Sequence, residues 1–97
     1  MNRSVLKFGG SSVSDFKKIK NIAEMLKTRI EDGEELIVVV SAMGKTTDQL
    51  MNNVSSLTPT PKDQELALLL TTGEQQTVSY LSMVLNDIGV NLSLIHI

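Results

Sequence analysis

The chain has 97 residues, 41% of them hydrophobic, which is enough for one modest core and too few for two domains. The 9 Lys and Arg residues and 11 Asp and Glu residues give a formal charge of −2, and they are scattered along the chain. This pattern excludes an extended basic face, so we expect neither nucleic acid nor a membrane surface as a partner.

The chain contains no cysteine, which excludes a disulfide framework and a thiolate nucleophile or metal site. The amino terminus has no basic segment followed by an apolar core. Apolar runs such as residues 36–40 are far shorter than the ~20 residues that span a bilayer. We therefore expect a soluble, cytoplasmic protein.

The first part of the chain predicts a strand, a turn and a helix. Residues 4–8 form a short apolar run that stops at a glycine pair, which indicates a strand entering a tight turn. Ser14 or Asp15 is suited to cap the following helix, and Gly33 is suited to end it. One helical face carries the apolar residues, which recur in steps of three and four: Phe16, Ile19, Ile22, Ala23, Leu26 and Ile30. The lysines at 17, 18 and 20 are interpreted as a solvated helix face.

The middle of the chain predicts a second strand and a second helix. The β-branched run at 36–40 is typical of a parallel strand covered on both faces. A loop at 41–46 follows, and a hydroxyl or carboxylate at 46–48 is suited to cap a helix that continues to about Leu57. Two prolines in residues 58–61 indicate a linker.

The last part of the chain predicts two helices and a strand. A leucine-rich stretch at 65–70 indicates a buried helix, and a second helical pattern runs from Val78 to Ile88, with Gly73 at the joint between them. Residues 91–97 alternate as a strand does. The predicted order belongs to a layered α/β protein with a mainly parallel sheet. Three strands leave apolar edges unpaired, which predicts an incomplete domain.

The first candidate site is the turn at residues 7–13, Lys-Phe-Gly-Gly-Ser-Ser-Val. This composition suits phosphate, because glycine frees backbone N–H groups to converge on phosphate oxygens and Lys7 supplies a full charge. The turn lacks the spacing of the Walker loop and of the dinucleotide fingerprint. A glycine pair after a strand is more often only a turn, so this segment alone does not establish a site.

Two further polar segments are candidates. Residues 41–48, Ser-Ala-Met-Gly-Lys-Thr-Thr-Asp, follow the second strand, and ligands of open α/β sheets lie outside the carboxyl ends of strands. We therefore expect both loops to face one crevice. The alternative is a helix entrance whose hydroxyls only cap. In residues 71–76, Gly73 is interpreted as a break that aims Glu74 inward, or else Glu74 only complements a helix dipole.

Together, the three segments resemble those of the aspartate kinases in the amino acid kinase family. Residues 7–13 are similar to the family's opening signature. Residues 38–44, with the Thr-Thr-Asp that follows, are similar to its second segment, and residues 70–75 to its third. The resemblance covers nearly the whole chain, in the family's order and at its distances. Three linked motifs are far more specific than any one of them.

The resemblance implies an amino acid kinase fold, an α/β/α sandwich with a mainly parallel sheet. It also implies transfer of the ATP γ-phosphate, with Mg²⁺, to the side-chain carboxylate of L-aspartate, the first step towards lysine, threonine and methionine. By position it assigns the phosphate to five residues: Lys7, Phe8, Gly9, Gly10 and Ser41. Lys7 is the catalytic residue among them. Thr47 and Glu74 are assigned to aspartate, Glu74 to its ammonium group, and no residue is assigned to a metal.

The family's chains are much longer, so residues 1–97 are expected to be the amino-terminal part of a kinase domain and inactive alone. The parent protein is expected to be a homo-oligomer. From about Leu92 the sequence departs from the family, which indicates a non-native tail. Two alternatives stay open: a kinase of the same family for glutamate, acetylglutamate or a nucleotide, and a non-catalytic nucleotide-binding or assembly module.

Overall fold

A computed structural model describes residues 3–90 and 94–96. Six elements follow in the order β1 (Arg3–Phe8), α1 (Phe16–Glu31), β2 (Glu35–Val40), α2 (Thr46–Leu57), α3 (Asp63–Asp87) and β3 (Leu94–His96). The strands form one parallel sheet in the order β1-β2-β3, with β2 in the centre. The predicted α/β class with a mainly parallel sheet is confirmed.

Both ends of α1 are defined by local contacts that the sequence predicted. The Asp15 carboxylate accepts the backbone N–H of Lys18 at 2.8 Å and caps the helix. Beyond the last turn, Gly33 adopts a φ of 94°, a conformation that glycine reaches without strain. The Arg29 guanidinium then donates two hydrogen bonds to the Glu34 carboxylate, at 2.6 and 2.8 Å. These hydrogen bonds are the main reason why the pKa of Glu34 is lowered.

The core lies on one face of the sheet, beneath α1 and α3. Buried side chains of α1 pack against alternate residues of β2, which are Leu36, Val38 and Val40, and against Leu81 and Leu85 of α3. Both connections between neighbouring strands advance in the same direction across the sheet. Because such crossovers are right-handed in nearly all proteins, their helices share a face.

The opposite face of the sheet is open within the described residues. Val5 is 61% exposed, and Ile37 and Val39, which belong to the same face, are only half-buried. Lys7 pairs with Val39 in the sheet register and lies on this face too. The prediction that β2 is covered on both faces is therefore not met here, because both crossover connections lie on the other side. A second helical layer stays a prediction.

Helix α3 corrects two predictions. It is one continuous helix of 25 residues, so Gly73 does not break it and the two predicted helices are one. Its first turns are not buried, because the buried residues of α3 begin only at Gly73 and continue to Leu85. Leu68 is 73% exposed there, while Leu66 and Leu69 are half-buried. The α2–α3 hairpin makes the molecule elongated, with extents of 50 × 24 × 18 Å.

The remaining elements follow the predicted order. Helix α2 ends at the predicted linker, but no side chain caps its start. The N–H of Thr46 instead donates to the carbonyl of Met43 at 2.8 Å, so the loop backbone satisfies the first turn. β3 falls within the predicted strand at 91–97. Residues 91–93 and 97 lie outside the described residues, and the non-native tail stays a prediction. No helix in the described part is long and apolar enough to cross a membrane.

Candidate functional site

The first candidate segment forms a tight turn directly after β1, which we call the glycine turn (residues 9–12). The N–H of Ser12 donates to the carbonyl of Gly9 at 3.0 Å and closes the turn. Within residues 3–90 and 94–96, the N–H groups of Gly9, Gly10 and Ser11 donate to no protein acceptor. The turn therefore presents consecutive free donors, which is the arrangement that binds an anion.

The second candidate segment is joined to the glycine turn by backbone hydrogen bonds. The N–H of Ser41 donates to the carbonyl of Phe8, and the N–H of Gly44 donates to the carbonyl of Gly10, both at 3.1 Å. A Cβ atom on Gly10 would lie only 3.2 Å from the carbonyl oxygen of Ala42. The two loops therefore meet at one edge of the sheet, and the expectation that they face one crevice stays a prediction.

The place where the glycine turn meets the loop at residues 41–46 is called the junction. Gly44 fits this junction in two ways. Its φ of 30° is one that side chains with a Cβ rarely adopt. A Cβ atom at this position would also lie 3.2 Å from Cβ of Ser14, which precedes the capping residue of α1. The glycine lets the second loop pack against the segment that leads into the helix.

The third candidate segment reaches the same junction from α3. Gly73 is buried, and a Cβ atom on it would lie 3.0 Å from Cβ of Ala42 and 3.2 Å from Cγ2 of Thr46. Glycine costs about 1 kcal/mol relative to alanine inside a helix, so its presence here is explained by close packing. This contact replaces the predicted helix break as the feature that brings residue 74 to the site.

Glu74 carries an unpaired buried oxygen. Its Oε2 atom is inaccessible to solvent and has no hydrogen-bond partner within the described residues. A buried carboxylate oxygen without a donor is costly, and a catalytic or binding role is one of the explanations for such an atom, beside a bound water or ion. The neighbouring Thr71 and Thr72 do not supply it, because their hydroxyls donate to carbonyls of the preceding helical turn.

Three other predicted site residues, Lys7, Ser41 and Thr47, are exposed, whereas Phe8 is half-buried and packs against the core. Lys7 is the next-to-last residue of β1 and makes no side-chain hydrogen bond or ion pair in the described part of the chain. Ser41 follows the end of β2, and Thr47 lies in the first turn of α2. The structure brings the three segments together, but it shows no contact between the side chains of Lys7, Thr47 and Glu74. No group of three or more metal-ligating side chains occurs among the described residues.

Lys18 is a residue of this region that the sequence did not single out. It was interpreted as part of a solvated face, but its Nζ atom donates to the carbonyl of Ser11 in the glycine turn at 3.0 Å. No sequence signal separates it from Lys17, because both lysines lie in the first turn of α1, next to the Asp15 cap.

A comparison with protein families identifies the fold. The model of the amino acid kinase family matches residues 2–97. The chain belongs to the amino acid kinase family. Within this family it is 45% identical over 89 residues to the aspartokinase of Bacillus sp. (strain MGA3), which covers 92% of this chain and 22% of that protein. It is 46% identical over 86 residues to the aspartokinase of Thermus thermophilus, covering 89% and 21% of the two chains.

A solved structure supports the same assignment. The crystal structure of aspartate kinase from Synechocystis matches this kinase-family chain with a TM-score of 0.87 and 40% sequence identity. The match covers 92% of this chain and 15% of the Synechocystis chain. The resemblance to aspartate kinases is therefore confirmed. The chain spans about a fifth of the length of the curated relatives that it matches.

Proposed function

We propose that residues 1–97 are the amino-terminal part of the kinase domain of an aspartate kinase, which phosphorylates the side-chain carboxylate of L-aspartate with Mg-ATP. The convergence of the three segments on Ala42 carries this proposal. Gly10 and Gly73 both pack against that residue, and the N–H of Gly44 donates a hydrogen bond to the carbonyl of Gly10. The similarity to aspartokinases supports the choice of substrate.

In the proposed reaction, the glycine turn and Lys7 hold the phosphate that is transferred. A carboxylate acceptor is already ionised, so no strong base is needed, and catalysis depends on positioning and on neutralising charge. The free N–H groups of Gly9 and Gly10 fit this role, and so does the unpaired ammonium of Lys7. Ser41 lies beside them. The Mg²⁺ ion would arrive on the ATP phosphates and neutralise part of their charge.

The proposed aspartate subsite lies at Thr47 and Glu74. The support is the buried Oε2 atom of Glu74, which lacks a donor in the described part of the chain. The ammonium group of an amino acid is a charged donor of the required kind, and such hydrogen bonds are the strong ones. Gly73 supports the arrangement by holding α3 close to the second loop.

A coupled comparison of acceptors tests the proposal. The full-length kinase that contains this segment is incubated with Mg-ATP and either aspartate, glutamate or N-acetylglutamate, and the acyl phosphate is trapped with hydroxylamine. We expect hydroxamate from aspartate, and none from the 97-residue chain alone. Product from another acceptor only would assign the chain to a different kinase of the family. Sustained turnover by the 97 residues would contradict the proposed inactivity of the isolated chain.

A further inference from the structure

Lys18 connects the start of α1 to the glycine turn. Its side chain reaches back along the helix, and Nζ donates to the carbonyl of Ser11 at 3.0 Å. Its backbone N–H donates to the Asp15 carboxylate at 2.8 Å, so the cap of α1 fixes the main chain at the same residue. Lys18 is therefore anchored at its backbone while its ammonium group contacts the turn.

The peptide unit between Ser11 and Ser12 is bonded at both of its polar groups. Its N–H belongs to Ser12 and donates to the carbonyl of Gly9 at 3.0 Å. Its carbonyl belongs to Ser11 and accepts from Lys18. A peptide unit is planar and its N–H and carbonyl point in opposite directions, so bonds to both restrict its rotation. This restriction limits the directions that the free N–H groups of the turn can take.

The location of the lysine also calls for an explanation. Cations in the first turn of a helix oppose the positive end of the helix dipole, and the acidic group at this end of α1 is the Asp15 carboxylate of the cap. Lys17 occupies the same turn but makes no side-chain hydrogen bond or ion pair in the described part of the chain. Both lysines are positively charged and exposed, and they differ in that Lys18 alone contacts the turn among the described residues. Lys17 is therefore a matched control.

We infer that Lys18 is a positioning residue that fixes the glycine turn in the conformation in which its N–H groups hold the transferring phosphate. The part of this inference that concerns the transferring phosphate rests on the proposed function. The contact itself does not depend on it. Removing the ammonium group loosens the turn without touching a group that binds either substrate.

The test compares Lys18→Met, Lys18→Arg and Lys17→Met in the full-length kinase. Hydrogen exchange of the peptide that contains residues 9–15 is measured without ligand. It reports on the turn through the Ser12 amide, which is the hydrogen-bonded N–H of the turn. We expect exchange to be roughly three- to tenfold faster in Lys18→Met, as for the loss of an exposed charged hydrogen bond, and unchanged in Lys17→Met. Lys18→Arg retains a long cationic donor and should restore most of the protection.

Steady-state kinetics report on the role in catalysis. Because a loosened turn weakens an interaction needed in the transition state, kcat should fall about tenfold in Lys18→Met while KM for aspartate changes less than twofold. Lys18→Arg should recover most of the loss, and Lys17→Met should match the wild type. A purely structural role would lower the amount of folded enzyme and leave kcat per active site unchanged.

The outcomes separate this inference from the proposed function. Equal exchange in Lys18→Met and Lys17→Met, or equal kcat, overturns the inference. If the wild-type enzyme phosphorylates no aspartate, the proposed function is wrong. The inference is then judged by exchange and by the affinity for Mg-ATP, both of which should change in Lys18→Met and stay unchanged in Lys17→Met.

Discussion

Replacing Gly73 by alanine tests how tightly the site is packed. In an unobstructed helix this change stabilises the protein by about 1 kcal/mol. Here the new Cβ atom would lie 3.0 Å from Cβ of Ala42 and 3.2 Å from Cγ2 of Thr46. The Ala42 methyl group cannot rotate away, so the helix or the loop must move. Overpacking costs about 1 to 3 kcal/mol, which leaves a net loss of about 1 kcal/mol.

A double-mutant cycle isolates this contact. Ala42→Gly alone removes a buried methyl group and should cost about 1 kcal/mol. The same change provides the space that the Gly73→Ala methyl needs, while the Thr46 side chain can adjust by rotation. The double variant should therefore be more stable than the sum of the single changes predicts, by about 1 kcal/mol. Urea unfolding of the wild type and the three variants, followed by circular dichroism, measures the four free energies of unfolding, and strict additivity would refute the packing argument.

Three more predictions concern the helix cap, the acid stability and the aspartate subsite. Asp15→Ala should lower the free energy of unfolding by about 1 kcal/mol and Asp15→Asn by much less, because asparagine also caps; equal losses in the two variants would contradict the capping role. The hydrogen bonds from Arg29 lower the pKa of Glu34 below its ordinary 4.5. The ion pair therefore contributes its full stabilisation above about pH 4.5 and loses it as the pH falls through the pKa of the folded state. Urea unfolding at a series of acidic pH values should show that Glu34→Gln loses less free energy of unfolding than the wild type as the pH falls. An unchanged pH profile would exclude this ion pair as a source of the acid sensitivity. Glu74→Gln in the full-length kinase should raise KM for aspartate at least about tenfold and change KM for ATP little, and an unchanged KM for aspartate would rule out the ammonium contact.

Local signals in the sequence were enough to predict most of the fold. The spacing of apolar residues predicted α1. Asp15 caps the start of the helix and Gly33 follows its end, as their chemistry requires. The β-branched run predicted β2. These features depend on residues close together in the chain, where capping, periodicity and glycine conformation decide the outcome.

The errors concern contacts between distant residues. Gly73 was interpreted as a helix break because glycine has a low helix propensity, but its absent side chain accommodates Ala42 from another loop. The leucines at 65–70 predicted burial, but Leu68 is 73% exposed and the buried residues of α3 begin at Gly73. A sequence pattern gives the composition of a helix and not what lies next to it.

The candidate site divides in the same way. The composition of the glycine turn was visible, and so was its location at the carboxyl end of a strand. The contacts that make the turn specific were not visible, namely the bond from Gly44 to Gly10 and the bond from Lys18 to Ser11. Both join groups from different segments. Tertiary structure alone distinguishes Lys18 from its solvated neighbour Lys17.

The measurement that tests the central claim most directly is the turnover of Lys7→Ala in the full-length kinase. Lys7 lies in the strand that leads into the glycine turn and has no partner in the described part of the chain, so its removal should leave the fold intact. If its ammonium neutralises the transferring phosphate, kcat for aspartyl phosphate formation should fall by roughly a hundred- to a thousandfold, by analogy with other electrostatic stabilisers. A kcat within about twofold of the wild type, with the variant folded, would contradict the account.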